Sequence, residues 1–250
     1  MKNYKLTIQY VGEKFQGWQK QTSTDNTIQG KLESVLSVMA QADVKVDGAG
    51  RTDAGVHAYG QVATAKIPNV RNPRDIKIYC NKYLPQEIAV VNVEEVYPRF
   101  HARLNKSIKV YQYRINNSGV RNVFANRFQC NIDTKLNINK MKTAASLLEG
   151  KHDFQSFTSN KNSKKSTERI IYSIDIEKTD GEVILTFKGN GFLYNMVRII
   201  VGTLIEIGLN ERNPRDIDRL FAVKKRSEAG FLAEAKGLSL LEVIYEEDNK

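Results

Sequence analysis

Residues 48–57 carry the side chains best suited to chemistry in this chain. They read Gly-Ala-Gly-Arg-Thr-Asp-Ala-Gly-Val-His, so Arg51 and Asp53 stand among small residues directly after a predicted strand. Glycines let a backbone approach another group closely or take a positive φ. A P-loop would need Gly-Lys-Ser/Thr, and a dinucleotide fingerprint would need glycine where Asp53 stands. Two interpretations stay open: a reactive carboxylate, or a turn residue that satisfies its own backbone.

A second charged residue stands in an apolar segment. Arg198 lies between Val197 and Ile199 within residues 192–201, which are too apolar for a surface helix. Either the arginine reaches water along its aliphatic stem, or it is buried and needs a carboxylate partner, because an unpaired buried charge is very costly. Asp53 is the candidate partner. Such a pair would keep the carboxylate ionised, as a nucleophile requires.

Two long runs of sequence lack acidic residues. Residues 96–132 contain no Asp or Glu and interleave basic with aromatic side chains, namely Arg99, Arg103, Lys106, Lys109, Arg114, Arg121 and Arg127 with Phe100, Tyr111, Tyr113 and Phe124. Basic residues neutralise phosphates and aromatic rings stack on unpaired bases. The alternative is a solvated basic face over aromatic core residues. Residues 154–167 hold Lys161, Lys164 and Lys165 among polar residues, a composition typical of a loop, either anion-binding or idle.

The overall composition favours an anionic partner. The 250 residues include 38 Lys and Arg against 28 Asp and Glu, a net charge of +10, and nucleic acid is the commonest partner for such a surplus. Hydrophobic residues make up 41% of the chain, enough for a core. Cys80 and Cys130 are too few for a disulfide framework, and no zinc or H-E-x-x-H pattern is present. We therefore predict no metal site.

The sequence also predicts a location. It contains no uninterrupted apolar run of about 18 residues and no signal-peptide core at its start. We expect a reduced, cytoplasmic protein that does not enter a membrane.

Hydrophobic periodicity predicts alternating strands and helices. Strands are expected around residues 4–10, 44–46, 62–63, 88–96, 110–115, 170–177, 183–188 and 238–245, and helices around residues 28–39, from 72, 141–148 and 191–209. Asn72 followed by Pro73 is a typical helix start, and Asp180-Gly181 is a good hairpin turn. Hairpins mixed with helices favour an antiparallel α+β fold over a parallel sheet.

A short repeat suggests two related units. Arg-Asn-Pro-Arg-Asp-Ile occurs at residues 71–76 and again at 212–217. One explanation is that two helices share a good start by coincidence; we favour the other, two tandem α+β units. The boundary is expected near residues 103–107, which gives an N-terminal unit of residues 1–104 and a C-terminal unit of residues 105–250.

Several blocks in order resemble one family. Residues 50–58 (Gly-Arg-Thr-Asp-Ala-Gly-Val-His-Ala) are similar to the active-site signature of TruA-type tRNA pseudouridine synthases. Further similar blocks are Phe15-Gln16-Gly17-Trp18-Gln19, Thr27-Ile28-Gln29-Gly30, Phe100-His101-Ala102-Arg103, Lys109-Val110-Tyr111-Gln112-Tyr113, Asp153 to Phe157 and Gly191 to Gly202. The resemblance runs from about Tyr4 to Tyr245. Ser239 departs from the usual tyrosine, which puts a local contact in doubt but no catalytic role.

The resemblance implies an activity and an architecture. The family isomerises uridine to pseudouridine in the anticodon stem-loop of tRNA, around tRNA positions 38, 39 and 40. Its members work as homodimers without cofactor or metal. Their fold is two tandem ferredoxin-like or RNA-recognition-like α+β units whose mainly antiparallel sheets join around a central basic cleft.

The resemblance also assigns roles by position. Asp53 would be the nucleophile, and Arg51 would assist extrusion of the base. Tyr111 would stack on the flipped uracil and is a candidate for removing the C5 proton, while Arg198 would pair with Asp53. The implied substrate-binding residues are Arg51, Thr52, His57, Phe100, His101, Ala102, Arg103, Tyr111, Lys164 and Lys165.

The residues leave some alternatives open. A hydrolytic glycosidase would need a second prominent acid near Asp53, and the sequence shows none there. An RNA-binding module without chemistry, or a related enzyme acting on a different RNA, remains open. So does the atom that Asp53 attacks, the ribose C1′ or the uracil ring.

Overall fold

The computed structural model describes residues 1–69, 71–160 and 166–246. Contacts divide the chain into two compact units, Met1–Ser107 together with the chain from Leu240 onward, and Ile108–Ser239. Each unit mixes helices with mostly antiparallel strands, which confirms the predicted α+β class. The closing strand from Leu240 groups with the first unit, whereas the predicted division into residues 1–104 and 105–250 assigned it to the second.

Each predicted strand and helix is present among the observed elements. In chain order they are β1 (Lys2–Tyr10), α1 (Ile28–Ala40), β2 (Val46–Gly48), β3 (His57–Ile67), α2 (Pro73–Tyr83), β4 (Ile88–Val96), β5 (Ser107–Asn116), β6 (Cys130–Asn131), α3 (Ile138–Leu148), β7 (Gly150–Asp153), β8 (Glu168–Thr179), β9 (Glu182–Gly189), α4 (Met196–Gly208), α5 (Asp216–Val223) and β10 (Leu238–Tyr245). Short 3-10 turns lie at Gly12–Lys14, Gln155–Phe157, Arg226–Glu228 and Ala235–Gly237. Strand β3 is much longer than the predicted residues 62–63, and β6 and β7 were not predicted.

In the first unit, β1 is the central strand of the sheet. It pairs antiparallel with β3 on one side and β4 on the other, β10 lies beyond β3, and β2 pairs antiparallel with β3 at residues 63–65. Tyr4, Leu6 and Ile8 alternate along β1 and are fully buried. Because successive strand residues face opposite sides, these three side chains fill one layer of the core.

The two helices of this unit begin at side-chain caps. Thr27 Oγ1 accepts from Gly30 N–H at the start of α1, and Asn72 Oδ1 accepts from Arg74 N–H at the start of α2. Each cap satisfies a backbone donor that has no partner inside the helix. The apolar stripe of α1, which includes Leu32 and Leu36, is buried.

The second unit is built on a sheet in the order β5-β9-β8-β7. All three of these pairings are antiparallel, and β6 pairs parallel with β5. Asp180 and Gly181 both have positive φ, 49° and 79°, in the tight turn between β8 and β9. This turn confirms the hairpin predicted from the Asp-Gly pair.

The apolar helix α4 begins later than predicted. The sequence placed its start at Gly191, but the helix starts at Met196, after Asn195 in the left-handed conformation at φ 61°. Asparagine tolerates this conformation better than most residues, and it ends the preceding turn. Residues 191–195 therefore form a connection whose side chains are not bound to helical spacing.

The repeated hexapeptide has the same local geometry in both places. Asn213 Oδ1 accepts from Arg215 N–H at 2.9 Å, as Asn72 Oδ1 accepts from Arg74 N–H at 2.9 Å. The following helix differs, because α2 starts at Pro73 whereas α5 starts only at Asp216. The repeat therefore encodes a turn before a helix in both units.

None of the helices in the three described ranges combines the length and the apolar character that crossing a membrane requires.

The close packing of α4 makes a prediction about stability. A methyl group on Gly202 would stand 1.9 Å from the Phe231 carbonyl oxygen. Replacing glycine by alanine normally favours a helix by about 1 kcal/mol, but an overlap with backbone costs about 3 kcal/mol. We expect Gly202→Ala to lower the free energy of unfolding by about 2 kcal/mol in urea titration. A more stable variant would contradict the packing of α4.

Candidate active site

A loop of residues 49–56, the glycine loop, connects β2 to β3 in the first unit. Ala49 N–H donates to Val62 O at 2.7 Å, and Trp18 N–H donates to Thr52 O at 3.0 Å. These bonds tie the loop to its own strand at one end and to the preceding segment at its centre. The loop is therefore fixed although most of it has no regular secondary structure.

Side chains alternate across the centre of the glycine loop. Arg51 is exposed, Thr52 is buried at 6% exposure, and Asp53 is half-buried. The turn that follows is closed by the backbone, since Val56 N–H donates to the Asp53 carbonyl oxygen at 3.2 Å. The main chain closes this turn, and the residue that carries the candidate carboxylate, Asp53, is half-buried.

The block at residues 15–19 is the support on which the glycine loop rests. Gly17 has φ +87°, and a methyl group there would lie 2.8 Å from Thr52 O. Trp18 is 2% exposed, and a methyl group on Gly48 would lie 2.5 Å from its indole. Only glycine at both positions lets the two chain segments come this close.

Gly50 differs from these packed glycines. No atom lies within 4 Å of the position that a Cβ would occupy there. The backbone beside Arg51 thus faces open space, in which a flat ligand can approach the main chain.

Below the loop, buried polar side chains meet. Tyr10 from β1 and Thr52 share a hydrogen bond of 2.8 Å between their hydroxyl groups. Gln61 from β3 donates through Nε2 to Gly50 O at 3.1 Å and to the Tyr10 hydroxyl at 3.4 Å. Tyr10 is 4% exposed and Gln61 is fully buried. The hydroxyl of Thr52 therefore points into the protein.

His57 is also buried, with 2% exposure. Its Nδ1 accepts from Gly12 N–H at 3.1 Å, which requires an unprotonated Nδ1. A methyl group on Gly12 would overlap the Val56 carbonyl, 1.9 Å away. The side chains of Thr52 and His57, both predicted to bind substrate, thus support the glycine loop from inside.

The segment from Phe100 to Arg103 also contains both buried and accessible residues. Phe100 and Ala102 are buried, and the Ala102 carbonyl accepts from the Tyr245 hydroxyl at 2.7 Å. His101 is half-buried, with Nε2 3.7 Å from Asp47 Oδ2, and Arg103 is exposed. Only His101 and Arg103 of this block present polar side chains to a ligand.

In the second unit, Tyr111 lies on β5 with 8% exposure. The Phe192 ring stands against it edge-to-face, with 5.2 Å between ring centroids and an angle of 84°. Phe192 belongs to the connection before α4. Such a contact fixes the plane of the tyrosine ring, which suits it to stacking.

Arg198, in the first turn of α4, is half-buried and oriented by neighbours in its own unit. Its Nε donates to Ala233 O at 2.8 Å, and Nη1 lies 3.3 Å from Asn195 Oδ1. The arginine therefore does not extend freely to water. Its guanidinium is held at the N-terminal end of an apolar helix.

Other basic side chains lie near Tyr111 in sequence and sheet register. Burial lowers the pKa of Lys109, and the neighbouring charge of Arg169 lowers it further. Lys109 pairs across the sheet with Gly189, a residue without a side chain. Two other predicted binding residues, Lys164 and Lys165, lie outside the described residues.

Across the part of the chain that the structure describes, no cluster of three metal-ligating side chains occurs.

A sequence profile for tRNA pseudouridine synthases matches residues 6–105 and 144–246. The chain belongs to the tRNA pseudouridine synthase family. The enzyme is thus an isomerase, as the resemblance of its sequence blocks implies.

Curated relatives align with the enzyme from end to end. "tRNA pseudouridine synthase A 2" of Bacillus anthracis is 46% identical over 98% of this chain and 100% of its own. "tRNA pseudouridine synthase A" of a Bacillus species is 46% identical over 96% and 98%. "tRNA pseudouridine synthase A 1" of Clostridium tetani is 43% identical over 98% and 100%.

Sequence reasoning did not identify Tyr10 or Gln61 as part of this region. Tyr10 has the same two-residue spacing as the core residues of β1, and its polar contact is invisible in that pattern. Gln61 gave a weak signal, because it is a polar side chain between apolar residues of a predicted strand. The hydrogen bonds themselves join residues that are 42 and 51 positions apart.

The packed Gly17 and the open Gly50 predict different effects on stability when one methyl group is added. Gly17→Ala places Cβ against Thr52 O at positive φ, so we expect the free energy of unfolding to fall by about 2 kcal/mol. Gly50→Ala meets no atom within 4 Å, and we expect a change within about 0.5 kcal/mol. Urea unfolding of both variants tests this difference. Equal losses would contradict the support of the glycine loop by residues 15–19.

Proposed function

We propose that the enzyme isomerises uridine to pseudouridine in the anticodon stem-loop of tRNA, at tRNA positions 38, 39 and 40. The names of relatives aligned over their full length support tRNA as the substrate. The reaction breaks the C–N glycosidic bond, turns the base and forms a C–C bond. It consumes neither electrons nor water overall, so side chains alone can supply its chemistry.

One observation carries the proposal: the glycine loop is anchored through the buried Thr52, whereas its neighbours Arg51 and Asp53 are exposed and half-buried. A nucleophile must be held within a narrow range of positions, because misplacement by about 1 Å can cost about a hundredfold in rate. The bonds to Thr52 supply that fixation on the residue directly before Asp53. The open space at Gly50 leaves room for the sugar and base.

Asp53 acts as the covalent nucleophile. A carboxylate reacts only when ionised, and a nearby guanidinium favours the ionised form. We assign this role to Arg198, which is held in one orientation by Ala233 O and Asn195 rather than by contact with solvent. An arginine held in this way can stabilise the ionised carboxylate without itself reacting.

Arg51 and Tyr111 act on the target base during extrusion and stacking. A uridine stacked in an RNA helix cannot be reached by a side chain, so it is flipped out at a cost of a few kcal/mol. Arg51, exposed next to Asp53, assists extrusion, and the ring of Tyr111 stacks on the extruded uracil. The edge-to-face contact with Phe192 keeps that ring ready for stacking.

Basic and polar side chains bind the RNA backbone. His101 and Arg103 offer side chains for this role, as do Lys164 and Lys165 in the sequence. Phe100 and Ala102 shape the segment from inside its core, and Thr52 and His57 act through the glycine loop that they support. We also propose that the enzyme is a homodimer and works in the cytoplasm. Light scattering of the purified enzyme should then give a mass near twice 28.4 kDa.

Removal of one carboxylate tests the mechanism. We expect Asp53→Ala to lower the rate of pseudouridine formation in a tRNA transcript by about 10⁴-fold or more, because no other group replaces the nucleophile. Binding of the same tRNA should change by less than about threefold. Pseudouridine is mapped at single-nucleotide resolution after incubation with each protein.

Asp43→Asn is the matched control. Asp43 is exposed, lies shortly before β2 and pairs only at the surface with Lys45, 3.0 Å away. This variant should be as active as the unchanged enzyme. Undiminished pseudouridine from Asp53→Ala would refute the assigned nucleophile. Product only at sites outside the anticodon stem-loop, or only in another RNA, would refute the assigned substrate.

Binding should also depend on salt. Each phosphate contact releases counterions, so the logarithm of the binding constant falls linearly with the logarithm of salt concentration. We expect Arg103→Gln to reduce this slope by about 1 unit, and Lys77→Gln, on exposed α2, to leave it unchanged. Filter binding between 50 and 200 mM salt, roughly the range in which such slopes are large, measures both. Equal slopes for Arg103→Gln and the unchanged enzyme would remove Arg103 from the RNA-binding surface.

A further inference from the structure

Three buried polar side chains connect the sheet of the first unit to the glycine loop. The Tyr10 hydroxyl bonds to Thr52 Oγ1 at 2.8 Å, and Gln61 Nε2 donates to both the Tyr10 hydroxyl and Gly50 O. We call Tyr10 and Gln61, with these bonds, the sheet bridge. Neither residue belongs to the sequence blocks that mark the reaction.

The sheet bridge attaches on both sides of Arg51. Gln61 binds the backbone of Gly50, the residue before it, and Tyr10 binds the side chain of Thr52, the residue after it. Thr52 also immediately precedes Asp53. Two attachments on either side of Arg51, two positions apart, fix the direction in which the backbone runs and so restrict the positions of Arg51 and Asp53.

Folding alone does not explain this arrangement. Gln61 is fully buried, and its Oε1 has no hydrogen-bond partner within the described ranges. A buried acceptor without a partner is destabilising, and an apolar side chain of the same size would avoid that loss. The polar residue is therefore unfavourable for stability at a position that touches the glycine loop.

The Tyr10 hydroxyl of the sheet bridge also keeps one protonation state. Burial raises the pKa of Tyr10 to about 12, although bonds with Thr52 and Gln61 lower it in part. The hydroxyl therefore stays protonated throughout the pH range in which tRNA and protein are stable, and its hydrogen bonds persist.

We propose that Tyr10 and Gln61 are positioning residues of the reaction, which hold Arg51 and Asp53 in place through Gly50 and Thr52. This inference rests on the role proposed above for Asp53. Neither residue touches the substrate. Their loss lowers the turnover of bound tRNA and leaves tRNA binding intact.

Tyr10→Phe removes one hydroxyl and keeps the ring. We expect kcat for pseudouridine formation to fall by about tenfold to a hundredfold, because the glycine loop loses one of the two attachments that the sheet bridge supplies. KM and the dissociation constant for tRNA should stay within about twofold. Single-turnover assays with tRNA in excess over its dissociation constant separate the two effects.

Tyr4→Phe is the matched control. Tyr4 lies on the same strand and face, is fully buried, and donates its hydroxyl to Arg71 O at 2.7 Å, away from the glycine loop. Both variants lose one buried tyrosine hydroxyl and its hydrogen bond. Tyr4→Phe should lose stability in thermal unfolding but keep kcat. An equal fall in kcat for both variants would overturn the proposal in favour of general destabilisation.

Gln61→Met gives a second, independent test. It fills about the same space and removes both the unpartnered oxygen and the two donated hydrogen bonds, so we expect these effects on the thermal midpoint to offset each other largely, while kcat falls about as much as in Tyr10→Phe. A purely structural role would make stability and kcat change together. The double variant should be little worse than either single one, since both changes release the same loop.

The outcomes separate this inference from the proposed function. If Asp53→Ala is inactive while Tyr10→Phe and Gln61→Met turn over at the unchanged rate, the sheet bridge has no positioning role and the proposed nucleophile stands. If Asp53→Ala remains active, the proposed function fails whatever the bridge variants do.

Discussion

The approach of Gly17 to the Thr52 carbonyl is the constraint on which the position of the glycine loop depends. A side chain at Gly17 would stand 2.8 Å from that oxygen, and the neighbouring Trp18 N–H could not donate to it at 3.0 Å. With that bond in place, the Thr52 hydroxyl lies inside the protein against Tyr10, while Arg51 is exposed and Asp53 is half-buried. The chemistry of the glycine loop thus follows from a glycine more than thirty residues earlier in the sequence.

In the second unit, too, a backbone conformation determines where the candidate site residues lie. Asn195 takes the left-handed conformation, which starts α4 at Met196 and leaves the preceding connection free of helical spacing. From that connection Phe192 reaches Tyr111, while Arg198 in the first helical turn bonds to Ala233 O. Arg198 lies in the first turn of a helix and Asp53 in a loop between two strands, and the contacts that orient Arg198 and Thr52 come from residues of their own unit. Rigid elements place such groups more reproducibly than mobile loops do.

The sequence predicted what depends on local periodicity and missed what depends on distant contacts. The strand at Ile88–Val96 and the cap at Asn72 were correct, because alternation and capping are local properties. The start of α4 was wrong, because one asparagine at positive φ overrides a long apolar run. The side chain of Thr52 was expected on the substrate side, whereas its partner Tyr10 is 42 residues away and draws it inward. Composition and spacing do not encode such pairings.

The polar character of the sheet bridge has a physical reason. Apolar contacts resist compression but are non-directional, so a loop held only by them can rotate or slide at little cost. A hydrogen bond weakens steeply as its angle departs from linearity, which fixes orientation as well as distance. Tyr10 and Gln61 supply such directional contacts on either side of Arg51. Proteins commonly give up some stability where activity needs fixed geometry, and a buried glutamine with an unpartnered oxygen is where this trade-off is visible in the first unit.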